Sequence, residues 1–397
     1  MDISDLVKPT QKEEQKSKEI VSKFLDRLNN KLIAAEAIVG GSFAKDTWLK
    51  GDHDIDIYTI FSRRYDPAKI SEILEKLLRK EFLFIKKING SRDYFQIKFR
   101  GYLFEVIPVL KIDNPNEAEN IMDISQMHVS WVKENINGLN SDVRKLKLFM
   151  KANNCYGAES YIRGFSGYVS EILVIYYGSF GNVLKNAILW REFEIVDTKN
   201  RKILIKNMDK SKISPLIVID PVQKERNAAA ALSKEKFDLF IKKAREYIKK
   251  PSIKFFSRTF VVPEDATVLK VKPLVGRTDV IGAKLLKAYE YIRDKLDEEF
   301  GISDSSWNWD GKAVFWYTTK TKELAEYTKH YGPPVEDETN LEKFKEKWEG
   351  YKLFMENDKV YINIKRKHTK LKPYLNYLVK NDDLKDKIKS IKIVRIK

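Results

Sequence analysis

The spacing of apolar side chains changes period several times along the chain, and each change marks a predicted element. Ile20, Phe24 and Leu28 recur at four-residue steps behind a capping box of Thr10 and Glu13, so residues 10–29 read as an amphipathic helix. "AAEAIVG" reads as a short strand ending at Gly40-Gly41, and "DIDIYTIF" alternates with the period of a strand. "PAKISEILEKLLRKEF" returns to the helical period, with Pro67 near its first turn. "YFQIKF" and "YLFEVIPVL" are strand-like runs joined by Arg100-Gly101, which predicts a hairpin. Residues 31–112 therefore read as a small α/β unit with a mixed sheet.

From about residue 127 to about 250 the pattern is mainly helical. "SDVRKLKLFMKANN" starts at Ser141 as its cap, and "YIRGFSGYVSEILVIYYGSF" contains a long apolar-faced helix. Phe237, Ile241, Ala244 and Ile248 mark another helix, opened by Ser233. After Pro251 the α/β character returns. "DVIGAKLLKAYEYIRDKLDEEFG" is a helix closed by Gly301, "AVFWYTT" a strand, and "YKLFMENDKVYINIK" a hairpin around Asn357-Asp358. No internal repeat or low-complexity linker interrupts this order. The expected fold class is α+β and multidomain, with boundaries near 130 and 252.

Composition narrows the class. Of 397 residues, 43% are hydrophobic and 33% charged, the make-up of a folded chain rather than a disordered one. The charged opening "MDISDLVKPTQKEEQKSKEI" predicts no signal peptide. The longest apolar run, "ILVIYYGSF", falls well short of the roughly 20 residues a bilayer span needs. A cytoplasmic location without membrane contact is expected. The single cysteine, Cys155, excludes an internal disulfide and a cysteine-based zinc cage. The net charge of +17 favours a polyanionic partner through phosphate neutralisation and counterion release. Lysine enrichment for solubility or heat tolerance is the blander reading, but it also raises Glu, and here lysine outruns the acids. The surplus concentrates in residues 361–397, which carry 12 Lys+Arg against 3 Asp.

Candidate chemistry begins with three acids. On a strand, Asp52, Asp54 and Asp56 share one face, while His53, Ile55 and Ile57 share the other. Carboxylates stacked this way are relieved either by solvent, on an exposed edge strand, or by divalent metals. Phosphoryl-transfer sites hold two such metals roughly 3.5–4 Å apart, and magnesium suits carboxylates supplemented by substrate phosphates. Gly40-Gly41-Ser42 precede the acids, and glycines let a backbone approach an anion closely; a plain strand-to-helix turn would look the same. Glu105, flanked by apolar residues, is either a third ligand, a solvent-facing residue, or a partner of a lysine. Trp307, Trp309 and Trp316 are aromatics for stacking or for the core, with the core preferred for Trp316.

The stretch "GGSFAKDTWLKGDHDIDIYTIF" resembles the GS-x-A-[RK]-x-TW-L-x-G-x-x-[DE]-[IL]-D motif of archaeal, class I CCA-adding tRNA nucleotidyltransferases, members of the polymerase-β-like superfamily. The resemblance continues through "FEVIPVL", "LKLFMKANNCYGAESYIRGFSGYVSEILVIYYGSF" and "VIDPVQKERNAAAALS". It implies a nucleotidyltransferase head at 1–130, a helical nucleotide-recognition domain at 131–252, and a tRNA-binding α/β body with a basic tail at 253–397. It implies Asp54, Asp56 and Glu105 as catalytic metal ligands, with Glu105 where relatives carry Asp. Asp52 falls outside that set. Gly41, Ser42 and Lys45 become triphosphate contacts; Ser125, His128 and Lys151 become further nucleotide contacts. Ser160 and Tyr161 stand where relatives carry a tyrosine after "YGAE", and Arg226 where an arginine reads the base edge, oriented by Asp220. The implied activity is addition of the 3′-terminal CCA to tRNA from CTP and ATP with two Mg²⁺ ions. The implied contacts are the acceptor stem and elbow of tRNA, and a homodimer is one candidate assembly. A poly(A) or oligoadenylate polymerase, or an RNA-binding protein with a dead site, are the alternatives.

Overall fold

The computed structural model describes residues 3–200, 208–257 and 260–396. The chain divides into two compact units, Met1–Thr259 and Phe260–Lys397.

In the first unit, α1 (Ser4–Val7) and α2 (Gln11–Asn29) lead into β1 (Ala35–Val39), α3 (Gly41–Ala44) and β2 (Asp54–Phe61). There follow α4 (Ile70–Glu81), β3 (Ile85–Ile88), β4 (Tyr94–Phe99) and β5 (Tyr102–Leu110). The strands form one mixed sheet in the order β1-β2-β5-β4-β3, with β2 and β5 parallel and the other pairs antiparallel. Helix α2 starts where the capping box predicts: Thr10 accepts from the Glu13 amide, and Glu13 receives the Thr10 N–H at 2.7 Å. Its stripe of Ile20, Phe24 and Leu28 is buried, and the Phe24 ring stacks on Phe104 of β5 at 3.9 Å. The β4–β5 hairpin turns on Arg100 and Gly101, both at positive φ, as a two-residue turn of this hand requires. Pro67 lies in the turn ahead of α4, not within it.

The same unit continues through α5 (Ser125–Asn135), α6 (Asn140–Ala152), α7 (Gly167–Tyr177), α8 (Phe180–Ala187) and α9 (Lys234–Lys249). A short parallel pair, β6 (Glu194–Val196) and β7 (Leu216–Val218), sits among them. Their core is aromatic: Phe149, Phe165, Phe180 and Phe240 are buried together. Ser166, Ser179 and Ser233 cap α7, α8 and α9. Ser141 does not cap α6, which starts one residue earlier with no side-chain cap. Its neighbour Asp142 instead accepts the Phe180 N–H at 2.9 Å, fixing the start of α8.

The second unit runs β8 (Thr267–Pro273), α10 (Thr278–Phe300), β9 (Ile302–Asp310), β10 (Lys312–Thr319) and β11 (Tyr327–Pro334). It closes with α11 (Glu338–Lys347), β12 (Leu353–Glu356), β13 (Lys359–Lys365), α12 (Leu371–Leu378) and β14 (Ile388–Arg395). One antiparallel sheet has the order β14-β8-β10-β9, and a second the order β11-β13-β12. Helix α10 covers one face of the first sheet, with Tyr289 stacked on Tyr317 at 5.4 Å and Trp307 packed beside it. Trp316 faces the other way, buried with Ala266 and Val268. The basic C-terminal segment is built into the sheets: β13 is the centre of the second sheet, and β14 pairs with β8. Among the described residues, no helix is long and apolar enough to cross a membrane.

Candidate active site

Register on the mixed sheet brings the acids together. Asp56 of β2 lies directly opposite Glu105 of β5, and Asp54 opposite Leu103. Residues so paired project from the same face, so Asp54, Asp56 and Glu105 rise from one side of the sheet; a slip by one residue would bury them in the core. That opposite side carries Ile55, Ile57, Phe104 and Val106 in the apolar layer beneath α2 and α4. Asp54 is exposed, while Asp56 and Glu105 are half-buried. Burial and the neighbouring charge of Glu105 push the Asp56 carboxyl up to about 6, with Asp54 adding to the rise and Lys45 and Lys147 opposing it. Burial also raises Glu105, although Gln96 donates a 2.7 Å hydrogen bond to its carboxylate. Asp52 lies before the strand begins and pairs with Lys151 at 3.1 Å.

The glycine turn is fitted to Asp56. The Gly40 amide donates to the Asp56 carbonyl at 2.8 Å, and Gly41 takes φ +52. A Cβ on Gly41 would stand 1.6 Å from Asp56 Oδ2, so no larger residue leaves that carboxylate where it is. Ser42 lies inside α3, and Ser125 hydrogen-bonds the hydroxyl of Tyr58, which also takes the Gly41 N–H at 3.4 Å.

Beyond the turn lies a buried charge cluster. Glu171 of α7 is fully buried and accepts hydrogen bonds from Lys45 at 2.6 Å, Thr47 at 2.6 Å and Lys147 at 2.8 Å. Burial alone would raise its carboxyl, but the two ammonium groups overcome this and hold it at about 2. Lys147 is pushed down by burial, with Glu171 opposing and Lys45 adding to the fall. One anion thus serves two cations, which leaves the cluster a net positive charge beside Asp56. Tyr156 reaches the same place: a Cβ on Gly167 would meet its hydroxyl at 2.9 Å and Lys147 Nζ at 3.6 Å.

A second buried carboxylate organises the far wall. Asp220 is fully buried and held well below the usual carboxylate range, because hydrogen bonding and charge from His128 and Arg226 overcome the cost of burial. His128 Nε2 lies 3.0 Å from its Oδ2, Arg226 donates to Oδ2 at 2.6 Å, and the Tyr168 hydroxyl donates to Oδ1 at 3.2 Å. Asn227 clamps the following turn, accepting from the Val218 and Ala229 amides at 2.9 Å. Arg226 itself stays a third exposed.

The structure therefore groups Asp54, Asp56, Glu105, Gly41, Ser42 and Lys45 about one sheet end, and joins His128 to Arg226 through Asp220. It sets Lys151 apart, at Asp52 and over the Tyr156 ring. Ser160 is exposed and Tyr161 half-buried in the turn after Gly157. Sequence reading missed Glu171, Lys147, Tyr156 and Tyr168. For Glu171 a signal existed: it is a lone acid in the apolar run of α7.

Among the described residues, no three acidic, histidine or cysteine side chains form a ready-made metal cage. The donors nevertheless fit a hard divalent cation. All are carboxylates, two are half-buried with raised proton affinity, and an open set suits magnesium, which keeps waters and takes other ligands from phosphates.

Residues 18–128 match the family model for a nucleotidyltransferase domain, and 141–257 that for the second domain of tRNA nucleotidyltransferases. In fold, the chain is similar to the Cid1 poly(U) polymerase, at TM-score 0.52 and 13% identity over 65% of this chain and 96% of that one. Sheet, glycine turn and domain matches together define a nucleotidyltransferase. Residues 267–389 match a third model, the CCA-adding enzyme C-terminal domain. The chain is 37% identical to the CCA-adding enzyme of Nanoarchaeum equitans, covering 88% of each protein. It is 33% identical to that of Pyrobaculum aerophilum, covering 94% of this chain and 90% of the relative. The chain belongs to the CCA-adding enzyme family.

Proposed function

We propose that this protein adds and repairs the 3′-terminal CCA of tRNA without a template, using CTP and ATP and releasing pyrophosphate. The observation that carries the reading is the glycine turn closed on Asp56 beside two lysines that share one buried anion. Asp54, Asp56 and Glu105 would hold two Mg²⁺ ions. Bound there, the ions supply the charge that eases deprotonation of the RNA 3′-hydroxyl and stabilises the departing pyrophosphate.

The chain's own groups do the positioning. Gly41, with the Ser42 hydroxyl, lets the triphosphate approach the backbone, and Lys45 and Lys147 offer positive charge to its β and γ phosphates. Glu105 would orient the 3′-hydroxyl and accept its proton, while the hydroxyl oxygen bonds to the α-phosphorus and the bond to pyrophosphate breaks. Ser125, Tyr156, Ser160 and Tyr161 would line the approach to the nucleotide, with Lys151 held off it by Asp52. Arg226, fixed with His128 on Asp220, presents a planar fork of donors that suits the acceptors of cytosine and adenine. The second unit would grip the acceptor stem and elbow by backbone and shape, as A-form RNA requires.

The test is tRNA ending at the discriminator base, incubated with Mg²⁺ and each nucleotide. Three ordered additions that then stop are expected, and an unlimited run of A would overturn the reading. Asp56→Ala should abolish addition while leaving tRNA affinity within about twofold; unchanged addition would remove Asp56 from the site.

A further inference from the structure

Helix α6 packs by one face and grips by another. Val143, Leu146, Phe149 and Met150 are buried in the aromatic core, while Asn140, Arg144, Lys147 and Lys151 recur at the spacing of a single stripe. Every member of that stripe reaches the segment that joins α3 to β2. Asn140 Nδ2 donates to the carbonyls of Lys45 at 3.1 Å and Asp46 at 3.0 Å. Arg144 Nε donates to the Trp48 carbonyl at 2.9 Å, and its guanidinium also pairs with the Asp46 carboxylate. Lys147 donates to the Thr47 carbonyl at 3.2 Å, and Lys151 pairs with Asp52. Four successive carbonyls, from Lys45 to Trp48, are thus taken by three side chains of one helix.

This grip fixes a shape that the segment has little reason to hold alone. Asp46 sits at φ +51, a left-handed backbone that residues with a Cβ disfavour. Arg144 and Lys147 are both buried, which is costly for a cation unless its hydrogen bonds are met, and the carbonyls of the segment meet them. The segment is also tied to the glycine turn, because the Thr47 amide donates to the Ser42 carbonyl at 2.9 Å. Lys45 is where the placement matters: its side chain points from this segment to Glu171, and its charge acts on Asp56.

We infer that Asn140 and Arg144 are positioning residues that set the Lys45 ammonium against the triphosphate of the incoming nucleotide. The inference rests on the reading of Lys45 as a triphosphate contact. Neither side chain touches the nucleotide in this role; each acts through the backbone of residues 45–48.

The intact chain tests it through CTP addition to tRNA ending at the discriminator base, and through inhibition of that addition by inorganic pyrophosphate. Asn140→Ala removes both donors at the first position of α6, where alanine is a good helix former. Arg144→Lys keeps the charge but loses the fork that holds a carbonyl and a carboxylate together, and it carries the test should Asn140→Ala fail to fold. Each variant should raise KM for CTP and the half-inhibiting pyrophosphate concentration by about tenfold, with kcat and KM for tRNA within about twofold of the parent. In a Lys45→Ala background the same substitutions should add no more than about twofold, because the group they place is gone. Parent-like KM for CTP in both variants would overturn the inference, as would a further loss of about tenfold in the Lys45→Ala background. A loss spread equally over CTP and tRNA would overturn it in favour of a stripe that serves folding alone. Parent-like KM for CTP and pyrophosphate inhibition in Lys45→Ala itself would instead sink the reading of Lys45 as a triphosphate contact.

Discussion

Replacing Gly41 by alanine separates the folding role of the glycine turn from its role in the site. The added Cβ would stand 1.6 Å from Asp56 Oδ2 and 2.6 Å from its Cγ. The turn has little room to retreat, because the Gly40 amide is bonded to the Asp56 carbonyl and Gly40 itself faces the Tyr58 ring. Asp56 must therefore swing away. Holding alanine at φ +52 costs roughly 1–2 kcal/mol, which lowers Tm by roughly 2–8 °C for a unit of this size. Displacing a reacting group by about 1 Å costs on the order of 100-fold in rate, about 2.7 kcal/mol of barrier. Gly101 provides the control: it has φ +86 with no atom within 4 Å of the added Cβ. Thermal melts and kcat/KM for CTP addition should show both variants destabilised, and Gly41→Ala alone slowed by about 100-fold. Parent-like kcat/KM in Gly41→Ala, or an equal loss in Gly101→Ala, would refute the reasoning.

Glu171→Gln leaves Lys45 and Lys147 without their anion and should cost about 3–5 kcal/mol by urea denaturation near neutral pH. Because the Glu171 carboxyl is depressed from 4.5 to about 2, its contribution is complete above the higher value and is lost as pH falls toward the lower. The gap between parent and variant should therefore narrow on acidification, and a constant gap would contradict this. Asp220→Ala frees His128, Tyr168 and Arg226 together, and should lower the kcat/KM ratio of CTP over UTP by about tenfold, the equivalent of one misplaced hydrogen bond. An unchanged ratio would detach Arg226 from base selection. Glu105→Gln removes charge but little volume, and should slow extension by about 100-fold or more while tRNA affinity stays within about twofold; a fast variant would strike Glu105 from the metal ligands.

Much of this protein is legible from local pattern. The capping box at Thr10, the alternation of "DIDIYTIF", the Arg100-Gly101 turn and the glycine close of α10 are short-range signals, and each stands in the structure where its chemistry predicts. Asp54 and Asp56 share a face because they are two apart on a strand, a property that needs no partner. The failures are also local in origin. Ser141 resembles a cap by residue type, yet packing of α8 on α6 gives that end of the helix to Asp142. The last 37 residues, marked in the sequence by their charge, complete two sheets through their alternating apolar side chains, which charge alone does not show.

What only the tertiary structure decides is which distant residues meet. That Glu105 stands beside Asp56 depends on a parallel register fixed by the apolar layer beneath both strands. That Lys45 shares an anion with Lys147 depends on Glu171, 126 residues from Lys45 in sequence. The same alternation that set Asp52, Asp54 and Asp56 in one row does not say where the strand begins, and the chain excludes Asp52 by starting β2 at Asp54. Composition and periodicity determine which face of each element is buried. Burial then closes loops of a hundred residues, and the chemistry of the site resides in the contacts those closures make.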